Sequence, residues 1–521
     1  MKKILATLLI VISVVACVLP AQAVTPEALQ PIVEKLEQWD AEAAWLDVKA
    51  LLGKEPGNAD LLELASHIAF YRGDYEDALK LAKSALENGG EDEGRKAFAL
   101  LAESTVGVLK PFKRYETAHF VISLDERQDA ILIDYLTDAL EKTYAVMAEQ
   151  YAFRPLEKVR VEIFPDTRAF YYTSTLSARD IEVTGAVGLT KFNKLMILSP
   201  RALVNGYRWL DALSHEYMHF LITKLTANKA PIWFHEGLAE QDEAGWRGAP
   251  RELSPVHQTL LARAVESGRL ISFERMDPGL VKLETPEDVQ LAYAEAASAI
   301  EFIIVKAGHT AVRNVMKQMA ASNEKGAGDA IKAALGLEFT EFEGAWKEYL
   351  ASRGFKEVEG VGVRRYKIKE GKADDERMEM REIQSMVARN RAHLGDLLLE
   401  KRRMEAAILE YQRALADAHD SVPILNRLSE ALIQLSRYEE ALACLQRAKG
   451  LSPDHPTTYA NMGKIYVHLK DPKKAQEALQ NAIQINPFNP DVHRDLAAVY
   501  EMLGNNEAAN KEKAIFNKLN K

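Results

Sequence analysis

The most informative stretch of the chain is His215-Glu216-Tyr217-Met218-His219. On an α-helix, two histidines four residues apart point off the same face, so both imidazoles can reach one Zn²⁺ ion. Glu216 lies about 100° further round the helix, where it can address a water molecule at an open zinc position. Metal-assisted hydrolysis needs this arrangement. The alternative is a pair of helix histidines that are hydrogen-bonded to neighbours and bind no metal.

The residues around this stretch favour the metal site. Residues 209–213 and 220–222 make the helix apolar on nearly all sides, so we expect it to lie in a core. Unpaired polar groups are costly in a core. A second helix is predicted from Pro231, a residue that suits a first helical turn, to Glu240. After a turn around Asn228, this second helix brings a carboxylate towards the histidines.

This pair of helices resembles the gluzincin metallopeptidases of the peptidase-MA-like group, in which His-Glu-x-x-His precedes a Trp-x-x-Glu-Gly-x-Ala helix. The matching helix here runs from Trp233 to Ala239. The resemblance implies one Zn²⁺ per chain, with Glu236 as the third protein ligand beside His215 and His219. It also implies that Glu240, one turn later, orients a ligand histidine. Glu240 remains the alternative third ligand, because it faces the same way as Glu236.

An oxyanion formed during hydrolysis needs a hydrogen-bond donor in addition to the metal. By resemblance, Tyr293 occupies a position at which related enzymes carry a transition-state tyrosine; the alternative is a core tyrosine of an amphipathic helix. Related aminopeptidases use a Gly-x-Met-Glu-Asn strand, whereas residues 185–189 read Gly-Ala-Val-Gly-Leu and contain no acid. An endopeptidase is therefore expected. His235 points about 100° away from Glu236 and is expected to be a packing or surface histidine.

Charge and cysteine content exclude other classes. The chain has 76 acidic and 66 basic residues, a formal net charge of −10, which argues against nucleic acid as a main partner. The sequence contains two cysteines, Cys17 and Cys444. A mature chain without Cys17 can form no internal disulfide and no cysteine-based zinc site, so its stability must come from packed cores.

The N-terminus has the form of a secretory signal peptide. Two lysines precede an apolar run from Ile4 to Leu19 and a small-x-small site that ends at Ala23. The run is shorter than the roughly 20 residues that a spanning helix needs. We therefore predict cleavage after Ala23 and export to a periplasm or to the medium. The alternative is a loose lipobox at Cys17, which would tether the protein to a membrane as a lipoprotein.

The C-terminal part of the chain repeats with a period of 34 residues from about Arg391. Small residues recur at this spacing at Gly395, Ser429, Gly463 and Ala497. The pattern resembles tetratricopeptide repeats (TPR), in which small residues let two antiparallel helices approach closely. It implies four repeats that bind protein partners. Fainter spacing of Ser66, Ala78 and Ala85 predicts two N-terminal repeats, with an ordinary helical bundle as the alternative.

Between the helical regions, alternating segments such as Val159–Phe164 predict strands. The expected fold class is an α+β zincin catalytic domain, thermolysin-like and gluzincin, flanked by all-α TPR solenoid segments. The predicted domains are a signal peptide (1–23), an N-terminal TPR-like helical region (24–112), a zinc metallopeptidase domain (113–355), a linker (356–388) and a C-terminal TPR domain (389–521). Because the linker is dense in charge, we expect the C-terminal repeats to fold separately.

Three functions are compatible with the sequence. An exported zinc peptidase that cleaves a peptide or protein substrate is favoured, since a scaffold would not need the water-activating Glu216. The alternative is a TPR-based assembly or adaptor protein of the cell envelope with a subsidiary or inactive zinc domain. The third is a zinc hydrolase that acts on a non-peptide substrate.

Overall fold

The computed structural model describes residues 26–520 except 91, 175, 177, 178, 180, 183, 184, 250, 278, 281, 282, 363–365 and 370–378. The predicted signal peptide and Cys17 lie outside the described residues. Within the described part, the chain is mostly helical with a five-stranded mixed sheet. Among the helices described there, none combines the length and the apolar composition that crossing a bilayer requires.

The main helices and strands follow in chain order. They are α1 (Pro26–Glu37), α2 (Ala41–Leu52), α3 (Ala59–Arg72), α4 (Tyr75–Gly89), α5 (Glu93–Leu109), β1 (Phe112–Glu116), β2 (Phe120–Asp125), α6 (Ile133–Tyr151), β3 (Val159–Phe164), α7 (Thr167–Ser174), β4 (Gly188–Lys191), β5 (Lys194–Leu198), α8 (Trp209–Thr226), α9 (Ile232–Asp242), α10 (Pro255–Ser267), α11 (Pro286–Ala321), α12 (Gly328–Leu335), α13 (Phe339–Ser352), α14 (Met386–Glu400), α15 (Met404–Asp417), α16 (Val422–Gln434), α17 (Tyr438–Leu451), α18 (Pro456–His468), α19 (Pro472–Ile485), α20 (Pro490–Met502) and α21 (Asn506–Leu519).

The described residues divide into two compact units, residues 26–107 with 191–194 and residues 108–190 with 195–520. In the first unit, α3 and α4 pack against each other across a turn at Gly73, whose φ of 84° is left-handed. Ser66 on α3 and Ala78 on α4 are fully buried. The small residues of the faint N-terminal pattern therefore lie where these two helices approach each other.

In the second unit, the sheet has the strand order β1-β2-β3-β5-β4. Strand β2 pairs antiparallel with β1 and parallel with β3. Nearly every side chain of β2 and β3 is buried, which is typical of strands covered on both faces. Strand β4 lies at the edge of this sheet, where its outer backbone groups can pair with an extended peptide.

The C-terminal repeats have the helix pairs that the period of the sequence predicts. A Cβ atom at Gly395 of α14 would overlap the ring of Tyr411 in α15, and one at Gly463 of α18 would lie 2.6 Å from Leu479 in α19. In these two repeats, the small residue therefore lies where the side chain of the second helix packs against the first helix.

The repeats also contact the segment immediately before α8. The amide of Tyr207 donates to the carbonyl of Ile485 at 3.0 Å, and the indole N–H of Trp209 donates to the carbonyl of Ile483 at 3.3 Å. Gly206 has a left-handed φ of 70° and leaves no room for a side chain against Ile485. The structure thus places the repeats against the start of the histidine-bearing helix, whereas the sequence indicated a separate module.

Candidate metal centre

Helix α8 carries the His-Glu-x-x-His stretch through the core. Its buried apolar side chains include Leu213, Met218, Phe220, Leu221 and Ile222. The helix ends at Thr226 because Ala227 and Asn228 adopt left-handed conformations with φ of 50° and 58°. This double turn lets α9, which begins after Pro231, pack against α8 as the sequence predicts.

The three predicted metal ligands converge. Glu236 Oε2 lies 3.4 Å from His215 Nε2 and 3.5 Å from His219 Nε2. Tetrahedral zinc with bonds of roughly 2.0–2.2 Å places its ligand atoms about 3.3–3.6 Å apart. Two imidazoles and one carboxylate are also a donor set found at catalytic zinc sites. Both the spacing and the chemistry of these donors therefore fit a Zn²⁺ ion.

The second ring nitrogen of each histidine is held from outside the centre. His215 Nδ1 lies 3.3 Å from Glu243 Oε2, and His219 Nδ1 lies 3.4 Å from His235 Nδ1. Both rings therefore turn Nε2 towards Glu236. Partners of this kind fix the tautomer and the orientation of a metal-binding imidazole. Burial and the neighbouring His219 lower the pKa of His235 to about 3, so its ring is neutral.

Glu236 and His215 shift each other's pKa in opposite directions. Burial by itself would raise the pKa of Glu236, but His219 and His215 hold that pKa well below its usual range. Burial would lower the pKa of His215, but Glu236 and Glu243 raise it well above its usual value. Since metal binding requires neutral imidazoles, a divalent cation and the histidine protons compete for the same carboxylate.

Glu243 is a site residue that the sequence interpretation missed. Glu236, Glu240 and Glu243 are spaced i, i+4 and i+7, and this spacing on one helix face was the available signal. Glu240, which was predicted to orient a ligand histidine, forms a second possible ligand group with His215 and Glu243, all within 4.8 Å. Its Oε2 also lies 4.0 Å from His257 Nδ1. The carboxylate of Glu243 lies 3.3 Å from His215 Nδ1.

Strand β4 packs directly against the predicted general base. Glu216 is 7% exposed, and Thr190 Oγ1 lies 2.7 Å from its Oε2. A Cβ atom at Gly188 would overlap Oε1 of Glu216 and lie 2.8 Å from its Cδ, so a larger residue there would displace the Glu216 side chain. Burial raises the pKa of Glu216, although His219 and His215 oppose the shift. A raised pKa suits a carboxylate that must accept a proton near neutral pH.

Helix α11 passes close to the centre and carries Tyr293. A Cβ atom at Gly237 of α9 would overlap the carbonyl of Ala296, which shows how closely α9 and α11 approach. Burial raises the pKa of Tyr293 well above its usual value, and the nearby carboxylates of Glu236 and Glu240 raise it further. The phenol is therefore a protonated hydrogen-bond donor beside the acidic residues of the centre.

Part of the predicted linker packs against the segment that precedes α8. Ile368 forms a β-bridge with Leu203, and the ring of Tyr366 lies 5.9 Å from that of Tyr207. Tyr366 is also among the neighbours that raise the pKa of Tyr293. Residues 366–369 are therefore packed beside the centre, a placement that their short and irregular sequence pattern could not predict.

Comparison with known protein families agrees with this architecture. The model of the Peptidase MA superfamily matches residues 142–352, and two tetratricopeptide repeat models match residues 393–456 and 428–504. The first range contains both helices of the centre. The chain therefore carries a Peptidase MA superfamily domain followed by tetratricopeptide repeats, which confirms the resemblance to these two families.

Several solved structures are similar to about a quarter of the chain. A thermophilic TPR protein from Thermus thermophilus is 22% identical with a TM-score of 0.24, covering 25% of this chain and 74% of that one. MamA from AMB-1 is 23% identical with a TM-score of 0.24, covering 27% of this chain and 86% of its own. No curated protein matches the chain.

Proposed function

We propose that the protein is an exported zinc metallopeptidase with an α+β zincin catalytic domain. His215, His219 and Glu236 would hold one Zn²⁺ per chain. The observation that carries the proposal is the convergence of both Nε2 atoms on Glu236 Oε2 within 3.5 Å, while each Nδ1 atom has its own outer partner. When bound, zinc supplies a Lewis acid that polarises the scissile carbonyl and acidifies water.

The residues of the chain supply the proton transfers. Glu216 takes a proton from the attacking water and passes it to the leaving amine. The Thr190 hydroxyl lies 2.7 Å from both the carboxylate and the backbone carbonyl oxygen of Glu216, so its contact restricts the orientation of the base. Tyr293 donates a hydrogen bond to the developing oxyanion, which is consistent with its protonated state beside Glu236.

The substrate is an extended peptide segment that pairs with the edge strand β4. This strand lies at the sheet edge and contacts Glu216 through Gly188, so a peptide added there would run past the base. Residues 185–189 offer no carboxylate to hold a substrate amino terminus. The proposal therefore favours an endopeptidase. We propose that cleavage after Ala23 releases the protein into a periplasm or into the medium. The alternative is a lipoprotein that is lipidated at Cys17 and tethered to a membrane.

A matched pair of proteins tests the proposal. The mature chain and its Glu216→Gln variant are compared on a library of unstructured peptides, with zinc content measured in both. We expect equal zinc content and a fall of at least about 100-fold in hydrolysis, because a general base contributes roughly 10²–10⁴-fold. Equal hydrolysis in the two proteins would refute the mechanism. Zinc without hydrolysis of any peptide would favour the adaptor or the non-peptide hydrolase.

A further inference from the structure

A second buried group of acidic and basic side chains lies in the C-terminal part of the chain, on residues other than those of the candidate metal centre. Glu379 Oε2 lies 2.8 Å from Arg427 Nη1, and Glu379 Oε1 lies 3.3 Å from His455 Nε2. The side chains of Arg427 and His455 are 9% and 4% exposed. We call Glu379, Arg427 and His455 the carboxylate cluster.

The two basic residues are fixed by other residues of the repeats. Arg427 Nε lies 3.3 Å from Asp396 Oδ1, and His455 Nδ1 lies 3.3 Å from the amide nitrogen of Asn426. Asp396 lies on α14, Arg427 on α16, and His455 directly precedes α18. These are the first helices of three successive repeats, so one face of the solenoid presents both basic groups. Solenoid faces of this kind are extended binding surfaces.

Glu379 does not belong to a repeat. It lies in the predicted linker, seven residues before α14 begins at Met386. Four residues after it, Ile383 is 1% exposed and packs in the core of the repeats. The carbonyl of Ile383 accepts hydrogen bonds from Arg389 Nη2 and Nε at 2.6 and 3.1 Å. The segment Glu379–Ser385 is thus held by a carboxylate and by an aliphatic side chain.

The repeats provide the charge that this carboxylate needs. Burial by itself would raise the pKa of Glu379, but His455 and Arg427 hold it below its usual value. A buried guanidinium without an anion is costly, because its charge cannot be lost and its desolvation is not offset. Arg427 has two acidic partners, Glu379 and Asp396, and only Asp396 would remain if Glu379 were absent. The face is therefore built to receive an acid.

We propose that this face of the repeats is a binding site for an acidic peptide segment with a glutamate followed four residues later by an aliphatic residue. In the isolated chain, the segment Glu379–Ser385 is its resident ligand. A partner protein with such a segment binds by displacing it. Because the resident segment is tethered, its effective concentration is on the order of millimolar, so the site is closed to weak competitors.

Peptide binding to the full chain tests this site. All proteins carry Glu216→Gln, so the readout is binding and does not depend on hydrolysis. The probe is a fluorescent, N-terminally acetylated peptide with the sequence of Glu379–Met386, followed by anisotropy. The test variant is Glu379→Ala. The matched control is Glu382→Ala on the same segment, because Glu382 lies 3.3 Å from Lys367 and outside the cluster.

We expect the peptide to bind the Glu379→Ala protein at least tenfold more tightly than either the parent or the Glu382→Ala protein. A probe with glutamine in place of its first glutamate should bind at least tenfold more weakly. Absence of binding to a folded Glu379→Ala protein, equal binding of both probes, or equal binding to the control would overturn the proposal. If circular dichroism shows that Glu379→Ala is unfolded, the isosteric Glu379→Gln variant is judged by the same criteria. Each of these failures would leave the proposed zinc chemistry intact.

Discussion

The metal centre and the carboxylate cluster both bury a glutamate among basic side chains, but they distribute its oxygens differently. In the metal centre, one oxygen of Glu236 faces two imidazole nitrogens at 3.4 and 3.5 Å. In the carboxylate cluster, the two oxygens of Glu379 each face a different basic group, one of them the guanidinium of Arg427. A guanidinium donates hydrogen bonds and cannot ligate a metal. Similar residue types therefore form a donor set that fits a metal ion in one region and a closed ion pair in the other.

The largest effect is expected from removal of a metal ligand. His215→Ala, His219→Ala or Glu236→Ala should each weaken zinc binding by more than the roughly 100-fold that loss of an outer partner can cause, because a three-ligand site loses a direct bond. Competition with a chelating dye measures the affinity, and Glu379→Ala is the control with unchanged zinc binding. Full zinc retention in Glu236→Ala together with loss in Glu240→Ala would transfer the third ligand to Glu240.

The next effect concerns the carboxylate cluster. Glu379→Ala removes the partner that lies 2.8 Å from Arg427 Nη1, and this should destabilise the repeats by about 2–3 kcal/mol, since a buried charge loses a hydrogen-bonded counterion. Hydrogen exchange of α14–α18 measures the change within the full chain. Glu382→Ala should change it by less than about 0.5 kcal/mol. Equal effects of the two substitutions would show that the cluster is no more than a surface ion pair.

The sequence predicted that His215, His219 and Glu236 converge, because the spacing that brings them together is local. His215 and His219 share a helix face at i and i+4, and Glu236 follows on the next helix after a turn that Asn228 marks. The period of 34 residues likewise located Gly395 at the helix–helix contact of its repeat. In both cases, the spacing along one or two helices fixes the geometry.

The sequence did not reveal contacts that depend on tertiary packing. Glu379 and Arg427 form a contact although 48 residues separate them in the sequence. Neither residue belongs to a sequence pattern that predicts this contact. The hydrogen bond between Tyr207 and Ile485 is equally non-local. Glu243 was within reach of the helical spacing, but the resemblance directed attention to Glu240. A repeat period predicts how helices pair within a solenoid, and it carries no information about what the solenoid packs against.

A smaller change in zinc affinity is expected when one of the carboxylates beside the ligand histidines is replaced. Glu243 Oε2 lies 3.3 Å from His215 Nδ1, so Glu243→Gln should lower zinc affinity about 10-fold, which is the lower end of the range for such partners. The matched variant is Glu240→Gln, measured with the same chelating dye. A larger loss in Glu240→Gln than in Glu243→Gln would support the sequence prediction that Glu240 orients the ligand histidine.

The smallest effect tests whether the two regions are independent. Arg208 directly precedes α8, and its guanidinium lies 2.6 Å from Asp454 Oδ1 and 3.3 Å from the side-chain oxygen of Asn481 in the repeats. Arg208→Lys keeps the charge but loses the planar fork that reaches both partners. The matched variant is Arg201→Lys, since Arg201 meets the repeats through the ring of Phe488, at 4.9 Å.

We expect Arg208→Lys to destabilise the contact between α8 and the repeats by about 1 kcal/mol, the usual net value of one or two hydrogen bonds. Zinc affinity should stay within about twofold of the parent, because His215 and His219 are held by their own outer partners and Glu236 lies on α9. Arg201→Lys should have the smaller effect, since an exposed cation–π contact contributes about 0.5–1 kcal/mol. Hydrogen exchange at residues 206–212 and chelator competition measure the two quantities. If zinc affinity falls tenfold in Arg208→Lys but not in Arg201→Lys, the repeats position the histidine-bearing helix, and the metal centre cannot be treated as independent of the repeats.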